Sequence, residues 1–119
     1  MVTDRRASGA MFGLAYGDSL GAATEFLDMR QSAQRFGERG PSELSGDPAL
    51  VTDDTQMAIA VGLALLDALE NPPLTPGAIE PLWRRRFVDW LNSPDNDRAP
   101  GNTCLRACRG LAAGKPWTE

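Results

Sequence analysis

Near the middle of the chain, two hydroxyls and two carboxylates follow one another in the stretch Thr52-Asp53-Asp54-Thr55-Gln56-Met57. Such side chains accept hydrogen bonds from the first N–H groups of a helix, but one cap is enough. Two adjacent carboxylates repel each other and are costly to desolvate unless a cation lies beside them. A hard divalent cation prefers oxygen ligands of this kind. The stretch is therefore a candidate metal site.

A structural explanation fits the same six residues. Asp53 and Gln56 have the spacing of a capping-box variant, and acidic residues in a first turn interact favourably with the helix dipole. Because caps are far commoner than metal sites, these residues alone favour a cap. The choice depends on the rest of the chain.

The composition restricts the chemistry. The 119 residues carry a net charge of −4 and no histidine. An acidic chain argues against nucleic acid as a partner, because phosphate binding needs a basic surface. Without histidine, catalysis must use carboxylates, hydroxyls or a metal-bound water. The first six residues show no signal-peptide pattern, and no apolar run is long enough for a membrane span, so we expect a cytoplasmic protein without a membrane partner.

A glycine repeat dominates the amino-terminal region. Gly9, Gly13, Gly17 and Gly21 recur every four residues, which places them along one stripe of a helix predicted over Ser8–Ala23. We expect this helix to be buried and central, with the stripe admitting a close neighbour.

Two acids belong to this region. Asp18 must be bonded or paired if it is buried, either to a nearby backbone turn or in support of a functional site. Glu25 would lie on the same side as Asp18 if the helix continued that far. It is either a general base or ligand gate, or a solvated acid at a helix end.

Four further helices are predicted from apolar periodicity and capping residues. The helix after the acidic turn is apolar on nearly all sides, so we expect it to be buried. Thr75 and Pro76 mark a helix start, although the regular part is expected only from Pro81. Arg84, Arg85 and Arg86 are expected to form a solvated face. The predicted helices are Asp28–Phe36, Asp54–Glu70, Pro81–Leu91 and Cys104–Ala113.

Gly101-Asn102-Thr103 precedes the last predicted helix. Backbone N–H groups there could receive a phosphate, or Asn102 or Thr103 could simply cap the helix. No strand-like alternation occurs, so the predicted class is all-α, with about five helices in one domain over residues 1–119.

Three blocks together resemble the amino-terminal part of the ADP-ribosylglycohydrolase family. They are Gly13-x3-Gly17-Asp18-x2-Gly21-x3-Glu25, the acidic turn 52–57, and Pro100-Gly101-Asn102-Thr103. The resemblance extends from about Ala10 to Gly114. It implies an all-helical hydrolase with a binuclear Mg²⁺ or Mn²⁺ centre that cleaves ADP-ribose from a protein or a small conjugate.

The resemblance also implies roles for individual residues. Thr52, Asp53 and Asp54 would be metal ligands, and Glu25 and Asp54 would be catalytic. The residues implied in substrate binding, directly or as support, are Asp18, Gly101, Asn102 and Thr103.

The family's second metal motif, an Asp-rich turn near the carboxyl end, has no counterpart here, since Glu119 is the only acid after Asp97. The sequence therefore predicts half of a site, in a fragment, a truncated reading frame or one component of a split enzyme whose partner chain supplies the rest. We expect the isolated chain to bind metal weakly and to be inactive. The alternative function is a non-catalytic binding or regulatory helical module.

Overall fold

A computed structural model describes the backbone of residues 2–118 and the side chains of residues 5–118. The helices are α1 (Val2–Gly21), α2 (Met29–Phe36), α3 (Asp53–Leu69), α4 (Pro76–Leu91) and α5 (Asn102–Ala112). Residues 2–118 contain no strand, and an isolated bridge pairs Gly46 with Ala49. The all-α prediction is confirmed.

The chain divides into two compact units, Met1–Thr55 and Gln56–Glu119. The first contains α1, α2 and the first turn of α3, and the second contains the rest of α3 with α4 and α5. The single domain over 1–119 stays a prediction. Within the described residues, no helix has the length and hydropathy that crossing a membrane requires.

Capping residues set two helix starts where the sequence predicted them. The Asp28 carboxylate accepts a hydrogen bond from the Gln31 N–H at 2.7 Å, and the Gln31 side chain accepts one from the Asp28 N–H at 2.9 Å. The Thr75 hydroxyl accepts from the Ala78 N–H at 3.3 Å. Gly37 follows α2 with φ of +80°, in the left-handed region that glycine adopts without strain.

Three helix starts differ from the predicted ones by two residues or more. α1 begins at Val2 instead of Ser8, and α5 begins at Asn102 instead of Cys104. α4 is regular from Pro76 and continues through Pro81. Pro81 is the sixth residue of this helix and removes the one helical hydrogen bond that its missing N–H group would have donated.

The expectation that α1 is buried is wrong for the described chain. Phe12 and Tyr16 are 77% and 52% exposed, whereas Ser19 is buried. A Cβ atom built at any glycine of the four-residue repeat would meet no atom within 4 Å. No described element packs closely against the stripe, which is why these glycines are open.

We predict that Gly9→Ala stabilises the chain by about 0.5–1 kcal/mol, because alanine has less conformational entropy to lose in a helix and the new methyl group meets no atom. Urea denaturation of the two proteins measures the difference. The matched control is Gly37→Ala, which should destabilise the chain because φ is +80° there. A loss of stability on Gly9→Ala would contradict the prediction.

The core of the second unit uses small side chains. Its buried apolar residues are Ala60, Ala64, Ala68, Trp90 and Cys108. The three alanines are four residues apart and share one face of α3.

The opposite face of α3 is exposed. It carries Ile59, Leu63, Leu66 and Leu69, and Leu66 is 61% exposed. The expectation that this helix is buried on nearly all sides is therefore wrong for the described residues, because only its alanine face is covered.

The three consecutive arginines of α4 make specific contacts. Arg84 donates to the carbonyls of Leu111 and Lys115, at 2.8 and 2.9 Å. Arg86 donates Nε and Nη2 to the two carboxylate oxygens of Asp67, at 3.0 and 2.9 Å, and Arg85 donates to the same carboxylate. The predicted solvated face is thus wrong for Arg84 and Arg86, which are half-buried and link helices.

We predict that Asp67 makes a pH-dependent contribution to the stability of the folded chain. The Arg86 hydrogen bonds, aided by Arg85, hold the pKa of this carboxyl below its ordinary value despite some burial. The ionised carboxylate therefore contributes to the free energy of unfolding above the pKa that this carboxyl has in the unfolded chain. That contribution is lost as the pH falls through the folded-state pKa. Denaturation across a pH series should show Asp67→Asn less stable than wild type near neutrality.

That difference should shrink in acid, where the wild-type carboxylate also becomes neutral. Asp89→Asn is the control, because Asp89 is an exposed carboxylate of α4, the helix that carries the arginines. A stability difference for Asp67→Asn that stays constant into acid would contradict the assignment.

Candidate functional site

The Asp18 carboxylate is the acceptor at the start of α3. Its Oδ2 atom accepts the backbone N–H groups of Thr52, at 2.8 Å, and Thr55, at 3.3 Å. The Thr52 hydroxyl donates to Oδ1, and the Thr55 hydroxyl donates to Oδ2. A carboxylate on one helix thus receives the orphan N–H groups at the start of another.

These bonds lower the pKa of the Asp18 carboxyl, which favours its ionised form. Burial on its own raises the pKa of this carboxyl, but the hydrogen bonds from Thr52 and Thr55 together outweigh it and leave the pKa below its ordinary value. Asp18 is consequently ionised at neutral pH. Of the two explanations that the sequence left open, bonding to a nearby backbone turn is observed, and Asp18 also faces a cavity.

That cavity, of about 390 Å³, lies within the first unit. It brings together four residues that the sequence singled out: Asp18, Glu25, Thr52 and Asp54. Glu25 and Asp54 are exposed, whereas Asp18 and Thr52 are half-buried. The remaining wall consists of Leu14, Gly17, Gly21 and Ala22.

Glu25 reaches the cavity by a different route from the one expected. α1 ends at Gly21, so the helix does not continue to Glu25. A turn follows, in which the Thr24 N–H donates to the Gly21 carbonyl at 2.8 Å and the Leu27 N–H donates to the Thr24 carbonyl at 2.9 Å. The turn, and not helical periodicity, places Glu25 beside the same cavity as Asp18.

Gln56 is bonded to α4 and to the segment that follows it. Its Oε1 atom accepts the Trp90 indole N–H at 3.1 Å, and its Nε2 atom donates to the Asp95 carbonyl at 3.0 Å. The capping box of Asp53 and Gln56 stays a prediction. Asp53 is half-buried in the first turn of α3 and is not part of the cavity wall.

The donors at the cavity fit a divalent cation in kind. Glu25, Thr52 and Asp54 offer carboxylate and hydroxyl oxygens, which Mg²⁺ and Mn²⁺ prefer. Among the described residues, however, no three or more Asp, Glu, His or Cys side chains are grouped closely enough to hold a metal ion. The metal-ligand roles of Thr52, Asp53 and Asp54 stay predictions.

Gly101-Asn102-Thr103 lies in the second unit, at the start of α5. Gly101 is the N-cap, and no side chain caps the helix. Capping by Asn102 or Thr103 is therefore wrong, because both are already inside the helix; their role toward phosphate stays a prediction.

Sequence reasoning missed the part played by Thr55. It is 3% exposed, and both its N–H and its hydroxyl donate to Asp18. Its spacing of three residues from Thr52 was the available signal, since N-terminal N–H groups one turn apart can share an acceptor.

Comparison with known proteins places this site in a family. The family model described as ADP-ribosylglycohydrolase matches residues 1–119. This chain belongs to the ADP-ribosylglycohydrolase family. Both the acidic turn and the glycine-rich helix with Asp18 lie within the matched residues.

Two curated relatives support the assignment to the ADP-ribosylglycohydrolase family. The ADP-ribosyl-[dinitrogen reductase] glycohydrolase of Rhodospirillum rubrum is 37% identical over 110 residues, covering 87% of this chain and 34% of that protein. The uncharacterized protein YegU of Escherichia coli K12 is 32% identical over 126 aligned positions, covering 96% of this chain and 36% of that protein. The chain thus spans about a third of the length of these relatives. No solved structure matches it significantly.

We predict that Thr55→Val destabilises the chain by about 1–3 kcal/mol, because it removes a buried hydroxyl donor from an ionised acceptor. Thermal or urea denaturation measures the change. Thr24→Val is the control, since the Thr24 hydroxyl makes a single exposed bond to the Gly21 carbonyl. Equal losses of stability in the two variants would show that the hydrogen bond from Thr55 to Asp18 stabilises the chain no more than an exposed bond does.

Proposed function

We propose that this chain contributes part of the active site of a metal-dependent ADP-ribosylglycohydrolase, which hydrolyses an ADP-ribosyl N- or O-glycosidic bond. The observation that carries the proposal is the cavity shared by Glu25, Thr52 and Asp54 in a member of this family. Hydrolysis of this kind needs carboxylates and an activated water, and it needs no histidine.

Thr52, Asp53 and Asp54 would hold Mg²⁺ or Mn²⁺, as part of a binuclear centre. Bound metal ions of this type supply Lewis acidity, orient substrate hydroxyls and lower the pKa of water. Because the described residues hold no group of three acids, the remaining ligands would come from the rest of a family domain, in the same polypeptide or in a partner chain.

The protein's own carboxylates would carry the proton transfers. Glu25 is exposed to the cavity, where it would accept a proton from the attacking water. The water oxygen bonds to the anomeric carbon through an oxocarbenium-like transition state, while the bond to the acceptor breaks. The acceptor would leave with a proton taken from solvent, and Glu25 would then return its own proton to solvent. The Asp54 carboxylate, in the first turn of α3, lines the same cavity and would assist these proton transfers.

The substrate class follows from the relative that has a named target. The Rhodospirillum rubrum protein is described as acting on ADP-ribosyl-[dinitrogen reductase]. For the present chain the proposed substrate is an ADP-ribosylated protein or a small ADP-ribose conjugate. The N–H groups at Gly101, Asn102 and Thr103 would bind phosphate at the start of α5.

One observation favours a second function, a non-catalytic binding or regulatory module. It is the lack, among the described residues, of a three-acid group able to hold a metal. In that case the cavity would bind a ligand without cleaving it. Adding the rest of a family domain would then not restore hydrolysis.

A chimera tests the hydrolase proposal. This chain replaces the matching third of the Rhodospirillum rubrum glycohydrolase, and release of ADP-ribose from ADP-ribosylated dinitrogen reductase is measured. Glu25→Gln or Asp54→Asn should lower kcat by about 100-fold or more, in line with the loss of a general base. Glu38→Gln is the matched control, because Glu38 is exposed in the same unit and does not line the cavity. A folded chimera with equal activity in all three variants would refute the assigned roles.

The chain alone is predicted to bind Mn²⁺ weakly and to release no ADP-ribose. Calorimetric titration should show heat of binding for the wild type, and this heat should disappear in the Asp53→Ala plus Asp54→Ala double variant. Identical titrations would favour a generic capped turn without metal, and turnover by the isolated chain would show that no complement is needed.

A further inference from the structure

Most of the hydrogen-bonding capacity of Asp18 is already used. An ionised carboxylate offers about four lone-pair sites. Four donors of Thr52 and Thr55 occupy Asp18: two backbone N–H groups and two hydroxyls. Three of these donors bond to Oδ2 and one bonds to Oδ1. Although Asp18 borders the cavity, most of its acceptor sites are therefore directed to the turn that begins α3.

These bonds fix the direction of the Thr52 hydroxyl group. Its backbone N–H donates to Oδ2 and its hydroxyl donates to Oδ1, so both carboxylate oxygens hold one residue. A hydroxyl has a single proton and two lone pairs. Since the Thr52 proton is donated to Asp18, its oxygen can act only as an acceptor or a ligand toward the cavity it lines.

We propose that Asp18 is a positioning residue that fixes the side-chain rotamer and hydroxyl direction of Thr52, so that the Thr52 oxygen presents lone pairs to a cation in the cavity. The inference rests on the proposed metal-dependent function, and it deepens that function by giving Asp18 a role through Thr52 instead of a direct contact with substrate. Partners of this kind orient metal ligands in other proteins.

Thr55 provides an internal comparison. It donates an N–H and a hydroxyl to the same carboxylate, yet it does not line the cavity. If Asp18 served only as a cap, loss of the Thr52 bond and loss of the Thr55 bond would have the same kind of effect. If Asp18 positions Thr52, only changes that free Thr52 should affect the cavity.

The first experiment needs no metal. Three-bond NMR couplings to the Thr52 methyl carbon, from the backbone nitrogen and carbonyl carbon, report its χ1 rotamer. Wild type and Thr55→Val should both show a single Thr52 rotamer, and Asp18→Ala should show averaged couplings. A single rotamer retained in a folded Asp18→Ala chain would overturn the proposal.

The second experiment uses Asp18→Asn, which also decides the matter if Asp18→Ala does not fold. With its oxygen at the Oδ2 position, asparagine keeps three of the four bonds, while its NH₂ group faces the Thr52 hydroxyl and turns the hydroxyl proton away. The dissociation constant for Mn²⁺ should rise by about 10-fold or more, as for other residues that orient metal ligands.

Thr55→Val is the control in the Mn²⁺ titration, and it should bind Mn²⁺ as wild type does although it is less stable. Weakened binding by Thr55→Val equal to that by Asp18→Asn would reduce Asp18 to a simple cap and overturn the proposal. If the wild-type chain binds no Mn²⁺, the metal part of the proposed function fails, while the Thr52 couplings still decide the positioning role.

Discussion

The arrangement of the first unit depends on one carboxylate that serves two neighbours at once. Asp18 lies on α1, yet its oxygens accept the N–H and O–H groups of Thr52 and Thr55 at the start of α3. A helix start leaves N–H groups without partners, and a negative charge there also suits the helix dipole. The interaction that stabilises the helix start therefore also sets where Thr52 and Asp54 meet the cavity.

The second unit is stabilised in a different way. Its covered face of α3 is made of alanines, so little apolar area is buried per residue, and directed polar contacts between side chains supplement it. The paired contact of Arg86 with Asp67 and the bond between Trp90 and Gln56 both connect α3 with α4. Bidentate contacts of this type constrain orientation as well as distance.

Local signals in the sequence predicted most of what local interactions decide. Asp28, Gly37 and Thr75 marked helix ends correctly, because capping depends on residues within one turn. The acidic turn and Glu25 were found from residue type and from the family resemblance. Long-range contacts were not accessible in this way: periodicity could not show that α1 and the outer face of α3 are exposed, because burial depends on what packs against a helix. Nor could it show that Thr55 joins Thr52 on Asp18, since those partners are 34 and 37 residues from it.

Two glycines form part of the cavity wall and leave open space where side chains would be. Gly17 and Gly21 border it, and a Cβ atom at either position would meet no protein atom within 4 Å. A methyl group at either position would therefore fit on the helix while occupying part of the cavity. Narrowing the cavity and unfolding the chain are thus separable at this wall, since Gly17→Ala or Gly21→Ala would fill part of the cavity in a chain that still folds.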